Sequence, residues 1–267
     1  MSFEQVEALR EECDALGAVL EPLDDAAFET ITLFKGWTFH DVVAHLHLFN
    51  WAADASIHRP EEFDRFWADL QRAMASGRTL REATDGWLGG AHNRAAFERW
   101  RDFYPGLCDR LDGVDPRQRV KWAGPPMSVR SSVTARQMET WAHGQEVWDA
   151  LGLERVDTDR IENIAVLGVN TFAWTYRVRG LAVPAETPFV RLEAPSGAVW
   201  EWNAPNADHR VEGSATEFCQ VVTQVRNVAD TTLRASGPIA REWMTMAQCF
   251  AGPPESPPPP GARHRAR

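Results

Sequence analysis

The sequence predicts an α+β protein, a four-helix bundle followed by a small α+β module. Three observations carry that expectation. Apolar residues recur at three- to four-residue spacing through the first half of the chain. Two candidate capping boxes open long helical stretches there. Period-two alternation sets in after Pro184.

Each element has its own signal. Phe3, Val6, Leu9, Cys13, Leu16 and Leu20 form one apolar stripe, and Pro22 closes that first helix. In KGWTFHDVVAHLHLFNWAADAS, Thr38 and Asp41 have capping-box spacing, so a second helix should begin near Phe39. Its apolar face runs through Val42, Leu46, Phe49 and Ala53, flanked by His45 and Ala52. A third helical region spans residues 79–111, with Leu80, Trp87, Phe97, Trp100 and Leu107 as anchors. Gly89-Gly90 and Pro105 are its candidate breaks. After a loop over residues 112–126, Thr134 and Gln137 are expected to cap a fourth helix that stops at Gly152. Long second and third connections suit a bundle. A fifth helix is expected over residues 159–181.

The second half changes character. FVRLEAPSGAVWEWNAP reads as a hairpin turning at PSG. TEFCQVVTQVRNV reads as a helix, DTTLRASG as a strand and PIAREWMTMAQCFAG as a last helix. The expected organisation is a helical bundle over 1–155, a connecting helix over 156–183 and an α+β module over 184–252. A Pro-rich, disordered tail is expected over 253–267.

Composition excludes several function classes. The 267 residues are 44% hydrophobic and 25% charged, which suffices for a substantial core. A net charge of −10 argues against nucleic acid as a partner, since phosphate contacts need a basic surface. No apolar run approaches the ~20 residues of a membrane span. The start, MSFEQVEALREECDALG, is charged and amphipathic, unlike a signal peptide, so a cytoplasmic location is expected. Cys13, Cys108, Cys219 and Cys249 are too scattered for a zinc knuckle and read as reduced structural thiols. No G-x-S-x-G elbow or Gly-rich phosphate loop occurs.

The stretch ETWAHGQEVWDALG holds the most pointed chemistry. Glu139 and His143 lie four residues apart, so a helix presents both on one face. A carboxylate with an imidazole suits zinc, and also iron or nickel. Glu146, one turn beyond His143, competes with Glu139 on spacing. A third ligand must come from a facing helix, and His45 beside the Val42/Leu46 stripe is the candidate. His47 points about 200° away from His45. Three protein ligands would leave one coordination position open, the catalytic pattern of zinc.

The segments WTFHDVVAHL and ARQMETWAHGQEVWDALG together resemble the N-terminal domain of mycothiol-dependent maleylpyruvate isomerases, DinB-like metal-binding four-helix bundles. The resemblance covers residues 1–155 and implies His45, Glu139 and His143 as ligands of a divalent metal, most often zinc. It selects Glu139 over Glu146 and His45 over His47. The segment VEGSATEFCQVVTQVRNVADTTLRASG resembles the sterol-carrier-like, wyosine-base-formation type of domain that follows in such isomerases. That likeness implies Arg226 as a catalytic residue, although Val225 stands where the family commonly has glycine.

What the resemblance implies is a metal-dependent thiol S-transferase or isomerase. Mycothiol would be the thiol cosubstrate and a small electrophile its partner. The metal would lower the thiol pKa, so no protein cysteine is needed as nucleophile. Trp51, Trp141 and Trp148 read first as plain bundle core, with walls of the pocket as the alternative. Two alternatives stand beside it: a non-catalytic carrier of a lipid-like ligand, and a metal-dependent hydrolase using water.

Overall fold

The computed structural model describes residues 3–266. Met1, Ser2 and Arg267, at the ends of the expected bundle and tail, lie outside the described residues. The chain divides into two compact units at Leu151/Gly152. No described helix is long and apolar enough to cross a membrane.

The first unit contains α1 (Glu4–Leu20), α2 (Phe39–His58), α3 (Pro60–Ala75), α4 (Leu80–Leu88), α5 (Arg94–Arg110) and α6 (Val129–Ala150). Four of these make the bundle: α1 packs on α5 and α6, and α2 packs on the same two helices. Leu9, Leu16, Leu46, Phe97, Trp100 and Val133 are among the side chains that fill its centre. The remaining two, α3 and α4, pack on α2 within the long connection between α2 and α5. The helix α3 has its own start signals, Pro60 in the first turn followed by Glu61 and Glu62.

Two expected breaks behave differently. Gly89 and Gly90, both at positive φ (59° and 89°), separate α4 from α5. Pro105 sits inside α5 without ending it. The start of α6 also differs from the expected Thr134. A short β1–β2 pair (Arg119–Val120 with Met127–Ser128) delivers the chain directly into the helix. Ser128 is the cap, its Oγ accepting from the Ser131 N–H at 3.1 Å, and Thr134 is buried within the helix. At the other end Gly152 follows at φ +69°, one residue past the terminal Leu151.

The second unit begins with a 3₁₀ turn and two short helices, α7 (Glu162–Asn170) and α8 (Phe172–Arg177), where one continuous helix was expected. Thr171 divides them, its hydroxyl donating back to the Leu167 carbonyl at 2.7 Å. The strands β3 (Phe189–Glu193), β4 (Val199–Trp202), β5 (Arg210–Ser214) and β6 (Arg234–Ser236) form one sheet in the order β4-β3-β5-β6. The β3–β4 pair is the expected hairpin, with Val190 opposite Trp202. The central strand β5 runs parallel to β3 and antiparallel to β6, and no sequence signal marked it. It is short and carries Gly213 at φ +144°, so it shows no clean alternation.

The helices α9 (Ala215–Val222) and α10 (Pro238–Met246) complete the unit. The former ends earlier than its composition suggests because Gln224 adopts φ +59°. The Gln224 and Val225 amides then bond back to Val221 and Gln220 in a Schellman arrangement. Residues 253–266 are not a free tail. Proline-rich backbone leaves its carbonyls unpaired, and side-chain amides use them: Gln224 donates to the Glu255 carbonyl at 3.0 Å, and Asn227 donates to the Pro258 carbonyl at 2.9 Å. Pro258 is itself buried.

Candidate metal centre

Local chemistry sets the frame of the site. The Thr38/Asp41 capping box is complete: Asp41 N–H donates to Thr38 Oγ1 at 3.2 Å, and Thr38 N–H donates to Asp41 Oδ2 at 2.7 Å. Arg81 clamps the same carboxylate at 2.7 Å. This pins the start of α2 and therefore the direction in which His45, two turns later, points. On α6, one helical turn separates Glu139 from His143.

Between α2 and α6 these three side chains converge. Donor atoms of His45, Glu139 and His143 all lie within 4.8 Å of one another. Glu139 Oε2 is the shared vertex, 3.2 Å from His45 Nε2 and 3.3 Å from His143 Nε2. Both separations fit hydrogen bonds. They also fit the edge of a tetrahedron, about 3.3 Å for metal–ligand bonds of about 2.05 Å. The same atoms can therefore exchange two imidazole protons for one divalent ion with little movement. Two imidazoles and one carboxylate form a donor set suited to zinc.

Electrostatics prepares the ligands. Burial pulls the His45 imidazole down to about 4, with the His143 ring adding to the effect and the Glu139 carboxylate opposing it. His45 is therefore neutral near neutral pH, the form that coordinates a metal. Burial alone would push Glu139 up. The hydrogen bonds from His143 and His45, and then the Arg136 charge, outweigh it and hold the carboxylate well below its usual range. Glu139 is thus an anion inside a mostly apolar surround.

The surround is aromatic, built from rings that sequence reasoning did not single out. Trp37 stacks on His143 at 5.2 Å and 7°, and Phe34 meets the same imidazole edge-on at 5.0 Å. Phe49 lies 4.7 Å from the His45 ring. Trp141 and Trp148 are bundle core, and Trp51 packs on Phe66 and Trp87. Phe34 and Trp37 were missed because they precede α2. Lys35 and Gly36, both at positive φ, turn that segment back so that Ile31 bridges Thr38.

The other sequence candidates separate cleanly. His47 faces away from the cluster, as its phase predicts, but it is buried between Trp87 at 5.2 Å and Phe103 at 5.4 Å. Burial and then the Arg99 charge lower it to about 4. Glu146 is buried on α6 and is not part of the convergent group. Arg226 belongs to the second unit, just after α9, where its Nη1 donates to the Val225 carbonyl at 3.2 Å. A residue that sequence reasoning did not single out is Arg136, one turn before Glu139. It is 2% exposed, and its Nε and Nη2 have no hydrogen-bond partner among the described residues.

Comparisons with known proteins identify the family and the fold. The family model described as "Mycothiol maleylpyruvate isomerase N-terminal domain" matches residues 9–148. An uncharacterised protein of Mycobacterium tuberculosis strain H37Rv is 38% identical over 249 residues, covering 92% of this chain and 95% of its own. The counterpart in strain CDC 1551/Oshkosh matches equally. The crystal structure of the mycothiol-dependent maleylpyruvate isomerase shares the fold, with a TM-score of 0.53 at 18% identity over 87% of this chain and 92% of that one. A histidine-to-alanine mutant of that isomerase gives a TM-score of 0.51 at 17% identity, over 82% and 87%. Its N-terminal bundle, carrying the His45/Glu139/His143 cluster, places the chain in the mycothiol maleylpyruvate isomerase N-terminal domain family.

Proposed function

We propose that the protein is a metal-dependent enzyme that uses a small thiol, mycothiol, to isomerise a small electrophilic substrate or transfer the thiol to it. The observation that carries this reading is the convergence of two imidazoles and one carboxylate from two helices, a set of three that would hold a divalent ion. Family membership and the solved isomerases of the same fold support it. His45, Glu139 and His143 would hold the ion, zinc being the best match to the donor set. When bound, such an ion supplies the positive charge that lowers the pKa of a thiol.

The protein's own groups have complementary tasks. Glu139 contributes the anionic charge that retains a cation in a buried place. His45 is kept neutral by burial, so its nitrogen is available as a donor. Phe34, Trp37 and Phe49 exclude water from the imidazoles, which strengthens every electrostatic interaction there. Arg226 is assigned the orientation of a substrate carboxylate by a bidentate pair. Addition of the thiolate to a conjugated double bond makes that bond rotatable. Expulsion of the same thiolate restores the double bond as the other geometric isomer, so nothing is consumed.

Metal analysis of the wild type, His45→Ala and His143→Ala is the direct test. One metal per chain in the wild type and a large loss in both variants are expected. Full retention in both variants would place the ion elsewhere. A screen of mycothiol against glutathione and cysteine then assigns the thiol. Turnover with no added thiol would instead make the protein a hydrolase.

A further inference from the structure

The charge of Arg136 helps keep Glu139 ionised, but two of its buried donors are unaccounted for. Arg136 lies one turn before Glu139 on α6, hence on the same face. Its side chain is almost wholly buried, yet Nε and Nη2 have no partner among the described residues. Buried ionised groups with unmet donors are rare and costly, and their retention needs a reason.

The two unmet donors are not an arbitrary pair. On a guanidinium, Nε–H and the Nη2–H beside it point the same way and form one fork. The spacing of that fork matches the two oxygens of a carboxylate. The flat faces are already in use. The guanidinium lies over the Phe49 ring at 5.6 Å and the Trp122 ring at 6.0 Å. The two rings lie within cation–π distance of the charge but supply no acceptor for the two unmet donors. Phe49 also touches the His45 ring at 4.7 Å, so the fork and the candidate metal ligands share one wall. Trp122 sits, half-buried, in the segment between β1 and β2.

We propose that Arg136 binds a carboxylate of the electrophilic substrate, through its Nε/Nη2 edge, beside the His45/Glu139/His143 cluster. This rests on the enzyme reading above and adds to it a positioning residue of the first unit for a substrate carboxylate. The residue is distinct from Arg226, which belongs to the second unit. Phe49 and Trp122 position the fork and do not themselves bind the acid.

The test is calorimetric titration of the full-length, metal-loaded protein with succinate, and with the neutral diamide succinamide. Saturable binding of succinate only is expected. Arg136→Met should weaken it on the order of 10- to 100-fold, because hydrogen bonds to a charged group are lost. Arg136→Lys keeps the charge without the fork and should fall between. Mycothiol affinity, titrated in parallel, should be unchanged in Arg136→Met. Equal succinate binding by wild type and Arg136→Met overturns the proposal, and so does a loss confined to mycothiol.

Should Arg136→Met fail to fold, the wild type with ¹⁵N-labelled arginine decides. The Arg136 Nε resonance must move on succinate addition, and an unmoved resonance overturns the proposal. Metal content is measured on the same samples, and a succinate loss in Arg136→Met that merely tracks loss of metal overturns the proposal. A wild type that takes up no metal would refute the metal-dependent reading, and the succinate titration, repeated on the metal-free protein, would still judge Arg136.

Discussion

Glu139→Gln separates metal binding from simple folding stability. In the metal-free protein the carboxylate accepts from His45 at 3.2 Å and from His143 at 3.3 Å. Two hydrogen bonds to a charged group are worth about 3–6 kcal/mol together. Burying the charge costs several kcal/mol in the opposite direction, on the order of the same size. An amide keeps one oxygen acceptor and removes the charge, so the net change should be about 1 kcal/mol. With zinc the balance differs, because the ion links α2 to α6 through residues 94 positions apart. At free zinc 1,000 times Kd, binding to the folded state alone stabilises by about 4.1 kcal/mol. For a unit of this size, ending at Leu151, that corresponds to a rise in Tm of about 8–16 °C. Scanning calorimetry with zinc and with chelator should show this rise in the wild type. Glu139→Gln should keep a metal-free Tm within about 4 °C of wild type and lose most of the zinc response. An unchanged zinc-induced rise in the variant would refute the reasoning.

Two further predictions test packing and burial. Gly17→Ala should stabilise by about 0.5–1 kcal/mol, since the added methyl meets Trp100 at 3.8 Å and Tyr104 at 3.9 Å, ordinary contact distances, within α1. Gly168→Ala should destabilise by about 1–2 kcal/mol net of helix propensity, because a methyl there lies 2.8 Å from Val222 and 3.0 Å from Phe218. Urea midpoints of the two variants must shift in opposite directions. Burial pushes the Cys108 thiol up to about 11 from an ordinary value of 9.0. Unfolded chains release that proton first, so between pH 9 and 11 the unfolded state binds fewer protons. Stability should therefore fall as pH rises through that window, by up to about 1.4 kcal/mol per pH unit for this thiol. Urea melts at pH 8, 9 and 10 check this, and a flat profile would contradict the burial of Cys108.

Short-range physics was legible in the sequence. The Thr38/Asp41 box depends on residues three apart, and both of its hydrogen bonds are present. Glu139 and His143 share a face because a helix returns every 3.6 residues. The phase of α2 turns His45 toward α6 and His47 away from it. The β3–β4 hairpin follows from alternation and turn residues. By contrast, Thr134 looked like a helix start because its spacing to Gln137 is right, yet the β1–β2 pair starts the helix at Val129.

The sequence by itself determined the α+β class, the bundle helices and the three side chains that meet between α2 and α6. The class and the helices rest on interactions within one turn or one hairpin, so local spacing encodes them; spacing left Glu139 and Glu146 both open, and the family resemblance chose between them. Only the tertiary structure decided which rings enclose the imidazoles, that Pro258 is buried at the end of a docked tail, and that β5 joins the centre of the sheet. It alone showed the unmet Nε and Nη2 of Arg136. Whether a buried donor finds a partner depends on side chains brought together from distant segments, and residue spacing carries no record of that.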